Sequence, residues 1–344
     1  MTAINSTSTM DIKPKLINKE SVLKYKCIIL FIGIGFVFSQ KIDELSSIPI
    51  QGYTVSPNPG KLRIIANYNS FTSPEFFDDD GKLWQNGDVI SLDTSETGDT
   101  NSIKILNFEI INKSVNLRVD YMGDKNVGVY FNAPITFART INDIQKGENG
   151  LGGLTFGIYF LWEEYFKIQR IRTELFYKRA KSGLPGDFEV HYTGTGQNNI
   201  GYSVALDLLL SEKLIFSLKQ KTTFAGATTY NFPVSGVSGD SIALNPSAHY
   251  EINSRIAYNI FPRLSMGVDY NYHSFATVSV DNSQSTGFIS SIKPKIGFRI
   301  LSAFNIGYLD IENLSIVGST NYVLKGKSFY KPNILKIGLQ TYFE

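Results

Sequence analysis

Cysteine is almost missing from this chain. Cys27 is the single one in 344 residues, so no intramolecular disulfide can form. Long apolar runs are missing too: no internal stretch approaches the ~20 residues that a membrane-spanning helix needs. Histidine is scarce. His191, His249 and His273 are scattered, and none stands at metal-ligand spacing to another His or to the Cys, so no metal and no cofactor is expected. No charge of one sign dominates, with Lys and Arg numbering 33 against 31 Asp and Glu, which leaves no basic surplus for nucleic acid. The glycine runs Gly150–Gly153 and Gly194–Gly196 do not lie between a strand and a helix and make no phosphate cradle.

Aromatic residues, by contrast, are plentiful, with 24 Phe and 19 Tyr. They fall in a pattern of period two. In Ala248–Ile260, residues Ala248, Tyr250, Ile252, Ser254, Ile256, Tyr258 and Ile260 share one side of a strand. His249, Glu251, Asn253, Arg255 and Asn259 share the other. Three residues later Leu264, Met266, Val268, Tyr270 and Tyr272 alternate with Ser265, Gly267, Asp269, Asn271 and His273. Strands with one face to lipid and one to a wet lumen alternate in this way over the ~9–11 residues that a tilted crossing takes. The mean hydropathy is close to neutral, as it must be when every second residue is polar. The pattern predicts an all-β fold, a transmembrane antiparallel up-and-down β-barrel of the outer-membrane type.

Residues 1–39 have the form of a signal peptide. Lys13, Lys15, Lys19, Lys24 and Lys26 precede a 12-residue apolar stretch, Cys27–Phe38, and small-residue positions lead to cleavage near Ser39. An N-terminal anchor is the alternative, and translation can start at Met1 or at Met10. Cleavage removes five of the 33 basic residues and two of the 31 acids, Asp11 and Glu20, leaving 28 against 29. Residues 40–60, polar with Pro49, Pro57 and Pro59, are expected as a periplasmic lead-in, and residues 61–344 as the barrel.

Along 61–344, connections alternate short and long. The short ones fall at Gly123–Asn126, Glu163–Phe166, Ser211–Lys213, Phe261–Arg263 and Leu301–Ala303. The long ones lie near 138–153, 178–200, 225–246, 275–285 and 318–330. Short turns on one side and long loops on the other are the connection pattern of such barrels. Counting back from the last strand gives 12 strands: 61–69, 102–122, 127–137, 154–162, 167–177, 201–210, 214–224, 247–260, 264–274, 286–300, 304–317 and 331–343. The stretch 102–122 changes phase near Asn112-Lys-Ser114 and is expected as one bulged strand. The alternative is 14 strands, with an extra one near Lys82–Leu92.

With the apolar face to lipid, the lumen set is Arg170, Arg172, Glu174, Asp207, Lys219, Lys221, His249, Glu251, Asn253, Arg255, Asp269, Asn271, His273, Lys293, Lys295, Arg299 and Lys336. Opposite charges are expected across neighbouring strands, Asp207 near Lys219 and Lys221, and Arg255 near Asp269. One reading is a charge ladder that fills a narrow barrel. The sharper one is a cationic constriction that favours anionic or carboxylate-bearing solutes. Signals for an enzyme are weak. The outer-membrane phospholipases place a His and a Ser two residues apart on the lipid face, whereas His273 is followed at once by Ser274. Glu163-Glu164 and the acids of Phe76–Gly81 fit polar turns.

Four ordered elements carry a family resemblance. Gly150-Leu-Gly-Gly-Leu-Thr-Phe-Gly157 resembles the "GLGDLTLG" element of the outer-membrane family named for the meta-pathway of phenol degradation, a FadL-like group, with Gly153 where that family has Asp. Ser182-Gly-Leu-Pro-Gly-Asp187 resembles its "LPTGD" segment. Thr193–Gln197 followed by Ile200-Gly201 resembles its "LGTGS…DIG" segment, and Leu324-Lys-Gly326 before a strand ending Tyr342-Phe343-Glu344 is also similar. The resemblance implies passive uptake of small hydrophobic or aromatic compounds across the outer membrane of a Gram-negative bacterium. Its partners would be the lipid bilayer, such a solute, and the barrel-assembly machinery that reads the C-terminal strand. FadL proteins proper carry an N-terminal plug longer than residues 40–60. A structural or surface-interaction barrel without transport is the competing expectation, and a lipid hydrolase the third.

Overall fold

The computed structural model describes residues 48–77, 80–85, 89–92, 102–105, 110–141, 145–146, 150–163, 170–180, 197–231, 241–244, 247–278, 284–306 and 309–343. The expected signal peptide with Cys27, the cleavage point near Ser39, His191 and Ser182–Asp187 lie outside these residues.

Twelve antiparallel strands close into one barrel. They are β1 Leu62–Phe77, β2 Ile110–Met122, β3 Val127–Ile141, β4 Leu154–Glu163, β5 Arg170–Arg179 and β6 Asn199–Ser211. The circuit continues with β7 Leu214–Ala225, β8 Ser247–Phe261, β9 Leu264–Val278, β10 Gln284–Ile306, β11 Leu309–Thr320 and β12 Phe329–Phe343. Each strand pairs with its neighbour in sequence, and β12 closes on β1 in a register running from Leu62 opposite Phe343 to Phe77 opposite Phe329. Closure leaves no sheet edge unpaired, the condition a sheet must meet in lipid. No helix occurs among the described residues.

The period-two pattern separates two environments. Outward side chains are apolar and exposed, among them Leu175 (57%), Ile200 (62%), Trp162, Ile256, Met266 and Phe298. Such a belt suits acyl chains and would be costly in water. Inward side chains are polar or small and mostly buried. Where the inner wall lacks a side chain, a ring covers the gap: Tyr130 lies against Gly157 and leaves no room there for a Cβ. Two-residue turns at 212–213 and 262–263, with 123–126, set the short-turn end. Gly123 and Asp124 donate to the Val127 carbonyl at 3.1 and 3.2 Å.

Five expectations need correction. Residues 102–122 are not one strand: Ser102–Ile105 pairs with Val89–Leu92 in a separate two-stranded sheet, and β2 begins at Ile110. The phase change near Asn112-Lys-Ser114 is real, a register shift between Lys113 and Ser114. The extra wall strand near Lys82–Leu92 is absent as such, since Leu83–Gln85 only extends the pairing of β1. Leu301–Ala303 is no turn. β10 runs on to Ile306, and the break in alternation is a register shift between Arg299 and Leu301, which inverts phase without ending the strand. A similar irregularity in β11 places Asn313 at φ 66°, and Ser315 Oγ donates to its side-chain oxygen at 2.9 Å. The loop expected at 318–330 contains a strand, Tyr322–Lys327, folded back on β10. Finally, residues 48–56 do not stay outside as a lead-in but enter the barrel, while 58–60 are exposed.

Candidate functional site

The site is the lumen and the chain segment inside it. At the short-turn end Val55 packs with Ile215 near the start of β7 and Tyr342 near the end of β12, with Ile48 and Leu209 around them. Pro49 and the buried Ile50 lie over Gly297 of β10, and polar groups on the wall hold the segment by its backbone. Asp207 accepts from Tyr53 N and Thr54 N, both at 2.9 Å, and from Thr54 Oγ1 at 2.5 Å. Arg172 Nη1 donates to the Val55 carbonyl at 3.3 Å, Arg255 Nη1 to the Gln51 carbonyl, and Gln340 Nε2 to the Pro49 carbonyl at 2.8 Å. Tyr342 donates to Gln51 Oε1 at 2.6 Å. The Arg255 guanidinium lies 4.3 Å over the Tyr53 ring, whose hydroxyl reaches Asp269 at 3.4 Å. Burial pushes that hydroxyl well above the ordinary phenol range, so it stays a donor. Gly52 lies so close to Asp207 that a Cβ there would meet the carboxylate.

Behind the segment, charges from separate strands join into a network. Asp120 pairs with Arg63 at 2.6 Å, Arg118 at 2.8 Å and Arg172 at 3.5 Å. Glu174 continues it to Arg118 at 3.2 Å, Arg172 at 2.8 Å and Lys219 at 2.9 Å. Rings cover the guanidinium faces, with Arg118 4.0 Å from the Tyr130 centroid and Arg172 3.8 Å from that of Tyr159. Arg172 is 1% exposed. Charges so far from bulk water persist because each has partners, and any one left alone would be costly. A second group joins Arg255 and Lys295 to Asp269 at 2.7 and 2.6 Å, and Lys221 pairs with Glu251 at 3.2 Å.

Three connected spaces follow. One of about 230 Å3 lies between the N-terminal segment and the wall. Two chambers of about 310 and 390 Å3 lie further toward the long loops and share Asn69, Arg118, Lys219, Lys221 and Lys336. Ten cations line these spaces against Glu174, Glu251 and Asp269, with Asp120 and Asp207 buried behind.

Most of the expected lumen residues meet here. Arg172, Glu174 and Lys219 join the first network. Arg255, Asp269 and Lys295 form the second, Asn253 and Asn271 line the larger chamber, and Lys293 and Lys336 face open space. Asp207 does not pair with Lys219 or Lys221 as expected. Lys219 goes to Glu174, and Asp207 is occupied by the backbone of 53–54. Arg170 begins β5, and Arg299 donates to the Pro262 carbonyl of a short turn. Both stand at the rim, away from the ring. His249 Nδ1 and His273 Nε2 approach to 3.3 Å toward the long-loop end, beside Phe275 and Phe329. His273 points inward and the adjacent Ser274 outward, so they share no face. Arg63, Arg118 and Asp120 belong to the network and were missed in the sequence, although Asn116, Arg118 and Asp120 alternate with Val115, Leu117 and Val119. The signal was there, but the phase change in 102–122 hid which face was inner.

No family model matches the sequence, and no curated protein matches it. Among solved structures, the chain is similar to the COG4313 outer membrane channel from Pseudomonas putida F1, with a TM-score of 0.60 and 12% identity over 85% of this chain and 98% of that one. A Pseudomonas aeruginosa FadL homologue (TM-score 0.35, 9% identity, 85% and 95% covered) and the Ralstonia pickettii toluene transporter TbuX (0.35, 8%, 87% and 92%) are more remote. At these identities the likeness shows the fold alone, that of an outer-membrane β-barrel.

Proposed function

We propose that this chain is a passive outer-membrane channel for small solutes, closed at its periplasmic end by its own residues 48–56. The observation that carries this reading is the way the segment is held. Asp207, Arg172, Arg255 and Gln340 grip its main chain through side-chain hydrogen bonds, and Ile50 and Val55 are buried beside them. The segment adds no strand to the wall, whose strands pair independently of it, so it can leave without unfolding the barrel. Two chambers already lie beyond it, so its departure joins them to the periplasm. Twelve strands stand between the filled interior of eight and the open channel of sixteen, so inward side chains set what passes. Transport in this reading is downhill. Signal-peptide cleavage near Ser39 and assembly through the C-terminal strand belong to this proposal.

The test is solute entry into liposomes that hold the purified protein, with conductance measured in parallel. Entry above that of empty liposomes supports a channel, and neither ions nor solutes crossing refutes it.

Uptake of hydrophobic or aromatic compounds is a second reading. One observation favours it: an apolar hollow of about 660 Å3 on the outer face, among Val129, Phe131, Phe156, Ile158, Leu175 and Ile200. The rings of Tyr130 and Phe176 separate this hollow from the lumen. Faster entry of a neutral aromatic such as benzyl alcohol than through empty liposomes would support this reading, and equal entry would count against it.

A further inference from the structure

We infer that Lys293 and Lys336 form an anion site in the lumen that takes small organic carboxylates. The inference rests on the channel reading above and adds a solute class to it.

The carboxylates of the lumen are already engaged. Asp120 and Glu174 are held by Arg63, Arg118, Arg172 and Lys219, Glu251 by Lys221, and Asp207 by residues 53–54. Asp269 uses both oxygens, Oδ1 for Arg255 Nε at 2.7 Å and Oδ2 for Arg255 Nη2 at 2.9 Å and Lys295 Nζ at 2.6 Å. Lys293 and Lys336 are left over. Neither makes a hydrogen bond or ion pair among the described residues, and both open on the chamber of about 390 Å3. Lys336 lines the other two spaces as well, so it stands where all three meet.

The register sets these groups side by side. Lys295 is opposite Ser319 on β11, Ser319 is opposite Lys336 on β12, and Lys336 is opposite Asn69 on β1. Lys293 lies two residues along β10 from Lys295, on the same face. Asp269 stands opposite Lys293 on β9, but its oxygens are taken by Arg255 and Lys295. Two ammonium groups with no ion pair of their own among the described residues, with the Ser319 hydroxyl and the Asn69 amide as further donors, fit a carboxylate. The same chamber presents Ile289, Pro332 and Ile334, an apolar patch for a short hydrocarbon body. A bare inorganic anion would use the cations and leave that patch empty.

Benzoate and benzyl alcohol share a ring and differ in charge, so they make the probe pair. Isothermal titration of the full-length protein in detergent reads binding without requiring an open pore. Benzoate is expected to bind, and Lys293→Met with Lys336→Met to weaken it by about tenfold or more, while Lys336→Arg keeps it. Neither lysine makes a hydrogen bond or ion pair among the described residues, and unchanged heat-dependent gel mobility shows that the double variant folds. In bilayers under a KCl gradient, the reversal potential should show anion preference that the double variant loses. Absence of benzoate binding, equal binding by the double variant, benzyl alcohol binding as well as benzoate, or inorganic phosphate binding as tightly as benzoate would each overturn the inference. Benzoate binding without any conductance would overturn the channel reading and leave the anion site standing.

Discussion

Thr54 is held twice by one carboxylate: Asp207 accepts its backbone N–H at 2.9 Å and its hydroxyl at 2.5 Å. Hydrogen bonds to a charged group contribute about 1.5–3 kcal/mol each. Asp207→Ala removes these and the bond from Tyr53 N, so the segment should leave the lumen at least about tenfold more often. Single-channel recording should show longer open periods, with Asp207→Asn intermediate because it keeps an acceptor oxygen. Open times equal to those of the parent protein would show that Asp207 does not hold the segment.

Gly52 allows a steric counterpart. A side chain at this position would meet the Asp207 carboxylate. Gly52→Val should open the channel as Asp207→Ala does, yet it leaves every lumen charge in place. A variant that stays closed would mean that the segment relocates without losing its seal.

Arg172 joins Asp120, Glu174 and the Val55 carbonyl at 1% exposure. Arg172→Leu takes one of three cationic partners from Glu174 away from bulk water, at a cost of about 1.5–3 kcal/mol. The urea midpoint of the folded band on gels should fall accordingly. Removing the acid as well, in Arg172→Leu with Glu174→Leu, should recover part of the loss. An unchanged midpoint in the single variant would contradict the network.

Leu175 lies mid-strand on the outer face, 57% exposed. Leu175→Arg should destabilise the barrel in lipid by about 2–4 kcal/mol, whereas Lys336→Met, facing the wet lumen with no ion pair among the described residues, should stay within about 1 kcal/mol. Equal costs at the two positions would overturn the assignment of faces.

The wall was legible in the sequence because alternation is local. Tyr250, Ile256 and Tyr258 could be set against His249, Glu251 and Arg255 without knowledge of any neighbour. What alternation alone does not provide is register. His249 and His273 are 24 residues apart and looked scattered, and only the pairing of Glu251 with His273 brings them within 3.3 Å. Bulges were a second obstacle, since a phase change reads equally as a turn or a slipped strand. That ambiguity misplaced the connection after Arg299 and hid Arg118 and Asp120. The N-terminal segment was the least legible part. Residues 48–56 have no periodicity, and they are held mainly through backbone atoms, which every sequence carries. Gly52 and Thr54 matter because Asp207 stands more than 150 positions away.

The central claim is that the chain seals its own channel. The most direct measurement is planar-bilayer conductance of the full-length protein beside a variant lacking residues 48–56, each confirmed as folded by gel mobility. The full-length protein should be closed for most of the record, and the shortened one should conduct steadily. The same conductance in both, or none in either, would contradict the account.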